Sequence, residues 1–155
     1  MKYCLDTHIL IWGIQRKAGQ TQQNKNNQAV RFLEWLEEKK HDVLIPTPVL
    51  AEFLIGIPES ERNQIISKFN ERFIVVPFDT ISALYYAKLF TSNNQLISNH
   101  DLNRNVLKMD NMIIAIAVAN KADAIYSEDQ YLKRAANGII EVRELPQLGQ
   151  QLNLI

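Results

Sequence analysis

The sequence predicts an α/β fold in which a mainly parallel sheet lies between two layers of helices, a three-layer α/β/α sandwich. Three features predict it. Short apolar runs such as Val43-Leu44-Ile45 and Ala124-Ile125-Tyr126 have the length of strands covered on both faces. Amphipathic stretches separate these runs, and such alternation builds a parallel sheet with helices packed against it. The stretch 111–120 is apolar almost all round, as a buried helix is.

Each element follows from its local chemistry. Residues 2–5 read as a first strand, with a short helix over 9–14. The stretch 19–28 is mostly Gln and Asn and reads as a mobile loop. Over 29–38, Val30, Leu33 and Leu36 recur at helical spacing, with Glu34, Glu37 and Glu38 outside. Val43-Leu44-Ile45 is the second strand. Thr47 and Pro48 then open a helix, Thr47 accepting from first-turn amides and Pro48 suiting the first helical position. Gly56 and Pro58 end it. Residues 59–69 read as helix and 73–76 as strand, and Asp79 caps a helix over 81–91. The stretch 91–108 reads as loop with some helix. Strand 124–126, helix 130–136 and a short strand over 139–142 complete the pattern. No repeat or linker divides the chain, and 155 residues suit one domain, 1–155.

Composition narrows the function classes. Apolar residues make up 46% and charged residues 22%, a globular balance. Seventeen basic and seventeen acidic side chains give zero formal charge, so a generically basic nucleic-acid surface is not supported, although basic residues can still cluster locally. Cys4 is the sole cysteine, which excludes an intrachain disulfide and a cysteine-rich zinc site. No signal-peptide pattern opens the chain, and the apolar runs are too short to span a bilayer, so a cytoplasmic protein without membrane contact is expected.

Four acids stand where acids are unwelcome. Asp6 closes Tyr3-Cys4-Leu5, and Glu52 interrupts Val49-Leu50-Ala51 and Phe53-Leu54-Ile55. Asp110 opens Met112-Ile113-Ile114-Ala115, and Asp129 follows Ala124-Ile125-Tyr126-Ser127 after one residue. An unpaired carboxylate near a core must find a partner or take a proton. A divalent cation lets several carboxylates gather, which points to metal-dependent phosphodiester cleavage. In parallel sheets ligands bind beyond the carboxyl ends of strands, where Asp6 and Asp129 are expected. Plainer readings stand beside this one. Asp6 could be a helix cap, Asp110 another with Asn111 behind it, Glu52 part of a narrow solvated stripe, and Asp129 an ordinary turn residue.

Other side chains carry less. His8, His41 and His100 share no metal-ligand spacing; His8 can face the Asp6 site, while His41 and His100 read as surface residues. There is no glycine-rich phosphate loop and no nucleophile elbow. Arg104 reads as solvated, and Lys108 is a candidate contact for a substrate phosphate.

Taken in order, Tyr3-Cys4-Leu5-Asp6-Thr7-His8-Ile9-Leu10-Ile11, Pro48-Val49-Leu50-Ala51-Glu52, Asp110-Asn111-Met112-Ile113-Ile114-Ala115 and Tyr126-Ser127-Glu128-Asp129 resemble the PIN-domain nucleases, and within them the VapC-type toxins of toxin–antitoxin pairs. The resemblance extends over nearly the whole chain. It implies a sheet between helices, and an endoribonuclease in which Asp6, Glu52, Asp110 and Asp129 hold one or two Mg²⁺ or Mn²⁺ ions. Thr7 and Ser127 match hydroxyl positions that support the site. His8 stands where Asn is more usual in that family. The resemblance further implies an RNA substrate, an antitoxin laid over the acids, and a homodimer, for which Trp12 and Trp35 are the exposed-looking apolar candidates. The reading from a different class is a non-catalytic PIN-like domain that binds RNA or protein. Retention of all four acids weighs against it.

Overall fold

The computed structural model describes residues 1–92 and 104–147. His100 and the 93–103 part of the stretch read as loop with some helix lie outside them. Five strands, β1 (Lys2–Leu5), β2 (Asp42–Pro46), β3 (Ile74–Val76), β4 (Ala124–Tyr126) and β5 (Val142–Arg143), form one sheet in the order β3-β2-β1-β4-β5. Every pairing in it is parallel. Tyr3, Cys4 and Leu5 of β1 and all of β4 are buried, so the middle of the sheet is covered on both faces. The expected α/β sandwich is the fold observed.

The helices are α1 (Thr7–Leu10), which runs on into a π-helical turn at Ile11–Gln15, α2 (Gln23–Glu38), α3 (Thr47–Ile55), α4 (Arg62–Arg72), α5 (Thr80–Ser92), α6 (Arg104–Ala119) and α7 (Gln130–Ala135). Helix α6 packs on α5, α3 and α7, and α1 packs on α3. Among the described residues no helix is long and apolar enough to cross a membrane.

Register decides what the strands deliver. Cys4 lies opposite both Leu44 and Ile125, and Leu5 lies opposite Tyr126. The chain leaves β1 and β4 at neighbouring points of one sheet edge. From β1 the order runs outward through β2 and β3, then crosses back to β4 and β5. The gap between the ends of β1 and β4 is therefore the switch point at which open α/β sheets bind ligands.

Several expectations need correction. The Gln/Asn-rich stretch 19–28 is largely structured: a 3-10 turn at Gln20–Gln22 leads into α2 at Gln23. Its order comes from side-chain bonds, which hydropathy does not register. Asn26 is buried, accepts from the Ala18 amide at 3.0 Å and donates to the Arg16 carbonyl at 3.0 Å, closing the left-handed turn at Arg16. Thr47 is the first residue of α3 rather than its cap; Pro46 precedes it with no side-chain cap bond. Helix α6 starts at Arg104, with buried Leu107 in its first turn, well before the expected 111. The last strand is Val142–Arg143, because the amides of Ile139 and Ile140 turn back to the Ala136 carbonyl.

The aromatic residues also depart from expectation. Trp12 is buried, and Trp35 is half-buried, stacked on Phe32 at 5.9 Å. Neither offers an exposed interface. His41 is no free surface residue; it sits 5.2 Å from the Tyr3 ring and 5.0 Å from Trp35. Burial, then the N-terminal ammonium and Lys39, hold its pKa below the usual value. Asp79 does cap α5, its Oδ1 accepting from the Ser82 amide and hydroxyl at 2.8 Å each.

Gly13 lies in the π-helical turn, and a Cβ there would stand 2.5 Å from Cδ1 of buried Leu33. Gly13→Ala is expected to lower stability by about 1–3 kcal/mol in urea unfolding. Parental stability in that variant would mean the turn and α2 are less tightly packed than described.

Candidate active site

Asp6 is the first residue beyond β1 and the N-cap of α1. Its amide donates to the Tyr126 carbonyl at 3.1 Å, extending the β1–β4 ladder by one step. Its Oδ1 accepts from the Thr7 amide at 2.7 Å and its Oδ2 from the Ser127 hydroxyl at 2.6 Å. The side chain is only 6% exposed, and burial pushes its pKa up. The Ser127 and Thr7 bonds and the charge of His8 pull the other way, while Asp129 adds to the rise. The cap reading and the site reading of Asp6 thus hold together, since each oxygen keeps a lone pair beyond its one bond.

Two hydroxyls knit the remaining acids to Asp6. Thr7, buried, donates from Oγ1 to Glu52 Oε2 at 2.5 Å. Glu52 projects from the second turn of α3 and is largely exposed. Ser127, also buried, accepts from the Asp129 amide at 3.0 Å while donating to Asp6. Asp129 caps α7, its Oδ1 accepting from the Tyr131 amide at 2.8 Å. Three acids from strand ends and α3 are joined in one hydrogen-bonded chain.

Asp110 completes the group from α6. It lies in the second turn of that helix, so it is not an N-cap, contrary to the plainer expectation. It is 5% exposed, and its Oδ2 is buried without a hydrogen-bond partner among the described residues. Its pKa is raised to about 7, first by burial and then by the negative charges of Asp129, Asp6 and Glu52. The charges of the other three acids thus all reach Asp110.

An orphaned buried carboxylate oxygen among other anions asks for a cation or a proton. The donors are all oxygen, which suits a hard divalent ion such as Mg²⁺ or Mn²⁺. The side chains are not drawn in to ligand spacing. Among the described residues no three of His, Cys, Asp or Glu stand close enough to grip an ion together. Asp6, Glu52 and Asp129 are each held by a hydrogen-bond donor of their own. Donor chemistry and the unpartnered Asp110 oxygen fit such an ion; the spacing is that of a set of separately held anions.

The other candidates are placed less centrally. His8 is exposed, 5.5 Å from the Trp12 ring, and its charge reaches Asp6. Lys108 is exposed two residues before Asp110, roughly 200° round the helix from it, so α6 does not aim both at one point. Arg104 opens α6 instead of lying in a loop. The Cys4 thiol is buried and its pKa is pushed up, which rules it out as a thiolate nucleophile. One pair escaped the sequence reading. Lys25 of α2 and Glu128, between Ser127 and Asp129, form an ion pair at 2.7 Å. They are 103 residues apart, and no local pattern connects them.

The model of the PIN domain family matches residues 3–138. No curated protein matches the sequence. Among solved structures, VapBC2 from Rickettsia felis bound to a DNA fragment from its promoter is similar at 21% identity and a TM-score of 0.68, covering 94% of this chain and 100% of that one. DNA-bound VapBC from Salmonella typhimurium is 16% identical with a TM-score of 0.67, covering 94% and 99%. VapBC-1 from nontypeable Haemophilus influenzae is 14% identical with a TM-score of 0.64, covering 95% and 100%. These similarities establish a shared fold.

Asp110 gives a pH signature of known sign. Its pKa is about 7 folded and near 3.8 unfolded, so the native state binds the extra proton across that window. Stability conferred by the protonated carboxyl is therefore lost as pH rises towards 7. Metal-free Asp110→Asn is expected to be more stable than the parent at pH 8, by on the order of 2–4 kcal/mol, with the difference shrinking towards pH 5. A variant less stable than the parent at pH 8 in urea unfolding would contradict the assignment.

Proposed function

This chain belongs to the PIN domain family, and from that premise we propose that it is a Mg²⁺- or Mn²⁺-dependent endoribonuclease, the VapC-type toxin of a toxin–antitoxin pair. One observation carries the reading: the buried, unpartnered Oδ2 of Asp110, whose pKa is raised by burial and then by the charges of three further acids.

In this reading Asp6 and Asp110 are the direct metal ligands. Asp129 contributes to a second ion, and Glu52 ligates through water or orients the attacking water. Bound there, the divalent ion supplies positive charge to a non-bridging phosphate oxygen and lowers the pKa of the attacking water. The protein's own groups supply the alignment. Ser127 holds one Asp6 oxygen at 2.6 Å, leaving the carboxylate a single orientation. Thr7 holds Glu52 at the rim, where its exposure gives water access to the free oxygen. Lys108 remains a candidate for substrate phosphate only beyond the α6 surface it occupies.

The reading includes partners. The similar structures named above are toxin–antitoxin complexes, and an antitoxin cation laid against Asp6 and Asp110 would meet the same charge demand as a metal. A homodimer would use exposed apolar side chains. Ile81, Leu84 and Tyr85 on α5, with Val106 and Met109 on α6, take the place of Trp12 and Trp35 as candidates.

Purified protein is expected to cut structured RNA with Mg²⁺ or Mn²⁺ and to stop with EDTA. Asp6→Asn should lower the rate about 100-fold or more while leaving the fold intact by circular dichroism, and Ser127→Ala about 10- to 100-fold, as loss of an outer-shell partner does. Parental cleavage by Asp6→Asn would overturn the reading. For the dimer, light scattering on size-exclusion chromatography is expected to read two copies for the parent and one for Leu84→Glu. A parental monomer would remove the dimer from the proposal.

A further inference from the structure

Glu128 stands between the two residues of its segment that carry the site, yet it faces away from the pocket chemistry. Its Oε1 accepts from the Leu145 amide at 2.7 Å, and its Oε2 pairs with Lys25 Nζ at 2.7 Å. With 24% and 20% side-chain exposure, the Lys25–Glu128 pair is more shielded than the other ion pairs among the described residues. A shielded pair with a satisfied carboxylate holds its geometry better than a solvent-screened one, and loses more when one partner is removed.

The segment it holds is also tied at Ser127, whose hydroxyl donates to Asp6 and accepts from the Asp129 amide; the Glu128 pair is its tie to α2. Strand β4 ends at Tyr126, and beyond it the Ser127 amide reaches the Arg143 carbonyl at 3.0 Å. Past that point the backbone turns directly into α7, capped by Asp129. On its other side Lys25 lies 6.0 Å over the Trp12 ring, and Trp12 lies 5.5 Å from His8 on α1. Lys25 therefore bridges the two corners of the site, reaching the β4 corner through Glu128 and the β1 corner through Trp12.

We propose that Lys25 and Glu128 form a strut that fixes Ser127 and Asp129 against Asp6, making Lys25 a positioning residue for the nuclease site. The proposal rests on the nuclease reading for its functional consequence, but not for its structural one. It also separates the two neighbouring acids: Asp129 serves the pocket, and Glu128, with both oxygens engaged, holds the backbone. Removing the Lys25 charge leaves Glu128 a half-buried anion beside Asp129, and the segment 127–129 must shift to hydrate it.

Two measurements on the full chain test this, both independent of cleavage. Hydrogen exchange reads the segment 126–131, and a Mn²⁺ titration followed by thermal unfolding reads the ion concentration that gives half the stabilisation. K25M keeps the stem over Trp12. It is expected to speed exchange at 126–131 several-fold, leave the β1–β2 peptides unchanged, and raise the Mn²⁺ midpoint about tenfold. E128Q should move both readouts in the same direction, and K25R should return both towards the parent. If K25M does not fold, E128Q carries the same comparison. Parental exchange and midpoint in the folded variants would overturn the strut, as would uniform destabilisation with the midpoint unmoved. If the parent itself shows no Mn²⁺ response, the nuclease reading fails instead, and exchange at 126–131 alone decides the strut.

Discussion

The hydrogen bond from the Ser127 hydroxyl to Asp6 Oδ2 joins the ends of two strands that are 121 residues apart in sequence, and the site is arranged round it. Parallel pairing of β1 with β4 sets the register that brings these residues side by side. The same hydroxyl accepts from the Asp129 amide, so one oxygen orients both strand-end acids. Glu52 joins through Thr7, the neighbour of Asp6, and Asp110 arrives from the helix packed against α3, α5 and α7. A shift of one residue between β1 and β4 would turn Asp6 and Ser127 to opposite sides of the sheet and dissolve the arrangement.

This arrangement stores electrostatic stress. Burial and neighbouring negative charge raise the proton affinity of Asp6 and Asp110, so both oppose folding in their ionised form. The fold tolerates the four acids because most have a dedicated donor: the Thr7 amide and Ser127 for Asp6, Thr7 for Glu52, the Tyr131 amide for Asp129. Asp110 has none on Oδ2 among the described residues, and its pKa is raised to about 7. An acid kept buried without a donor is expected where a cation is to bind, and it costs stability at neutral pH until one does. Lys25 stands apart from the group, its ammonium paired with Glu128.

How much of this was legible in the sequence depended on whether the determining force was local. Strands β1, β2 and β4 announced themselves because burial on both faces leaves unbroken apolar runs. The acids were visible because each interrupts or ends such a run. Asp79 as a cap was readable from chemistry within one turn. By contrast, helix α2 begins among Gln and Asn residues whose order depends on Asn26 bonding to Arg16 and Ala18, a signal without hydrophobic period. The early start of α6 was hidden because its first turns mix charged residues with the few that pack inward. Trp12 looked available in a list of residues, but the π-helical turn rotates it into the core. The Lys25–Glu128 pair depends wholly on tertiary approach, and a single sequence carries no trace of it.

Everything functional rests on four carboxylates sharing one pocket that a hard cation can enter. Anomalous diffraction from crystals of the parental protein equilibrated with Mn²⁺ tests that claim most directly. The account predicts an anomalous peak bound to Asp110 and Asp6, with Asp129 and Glu52 bordering the same cavity. Mn²⁺ found only elsewhere on the molecule, at concentrations that sustain RNA cleavage, would contradict it.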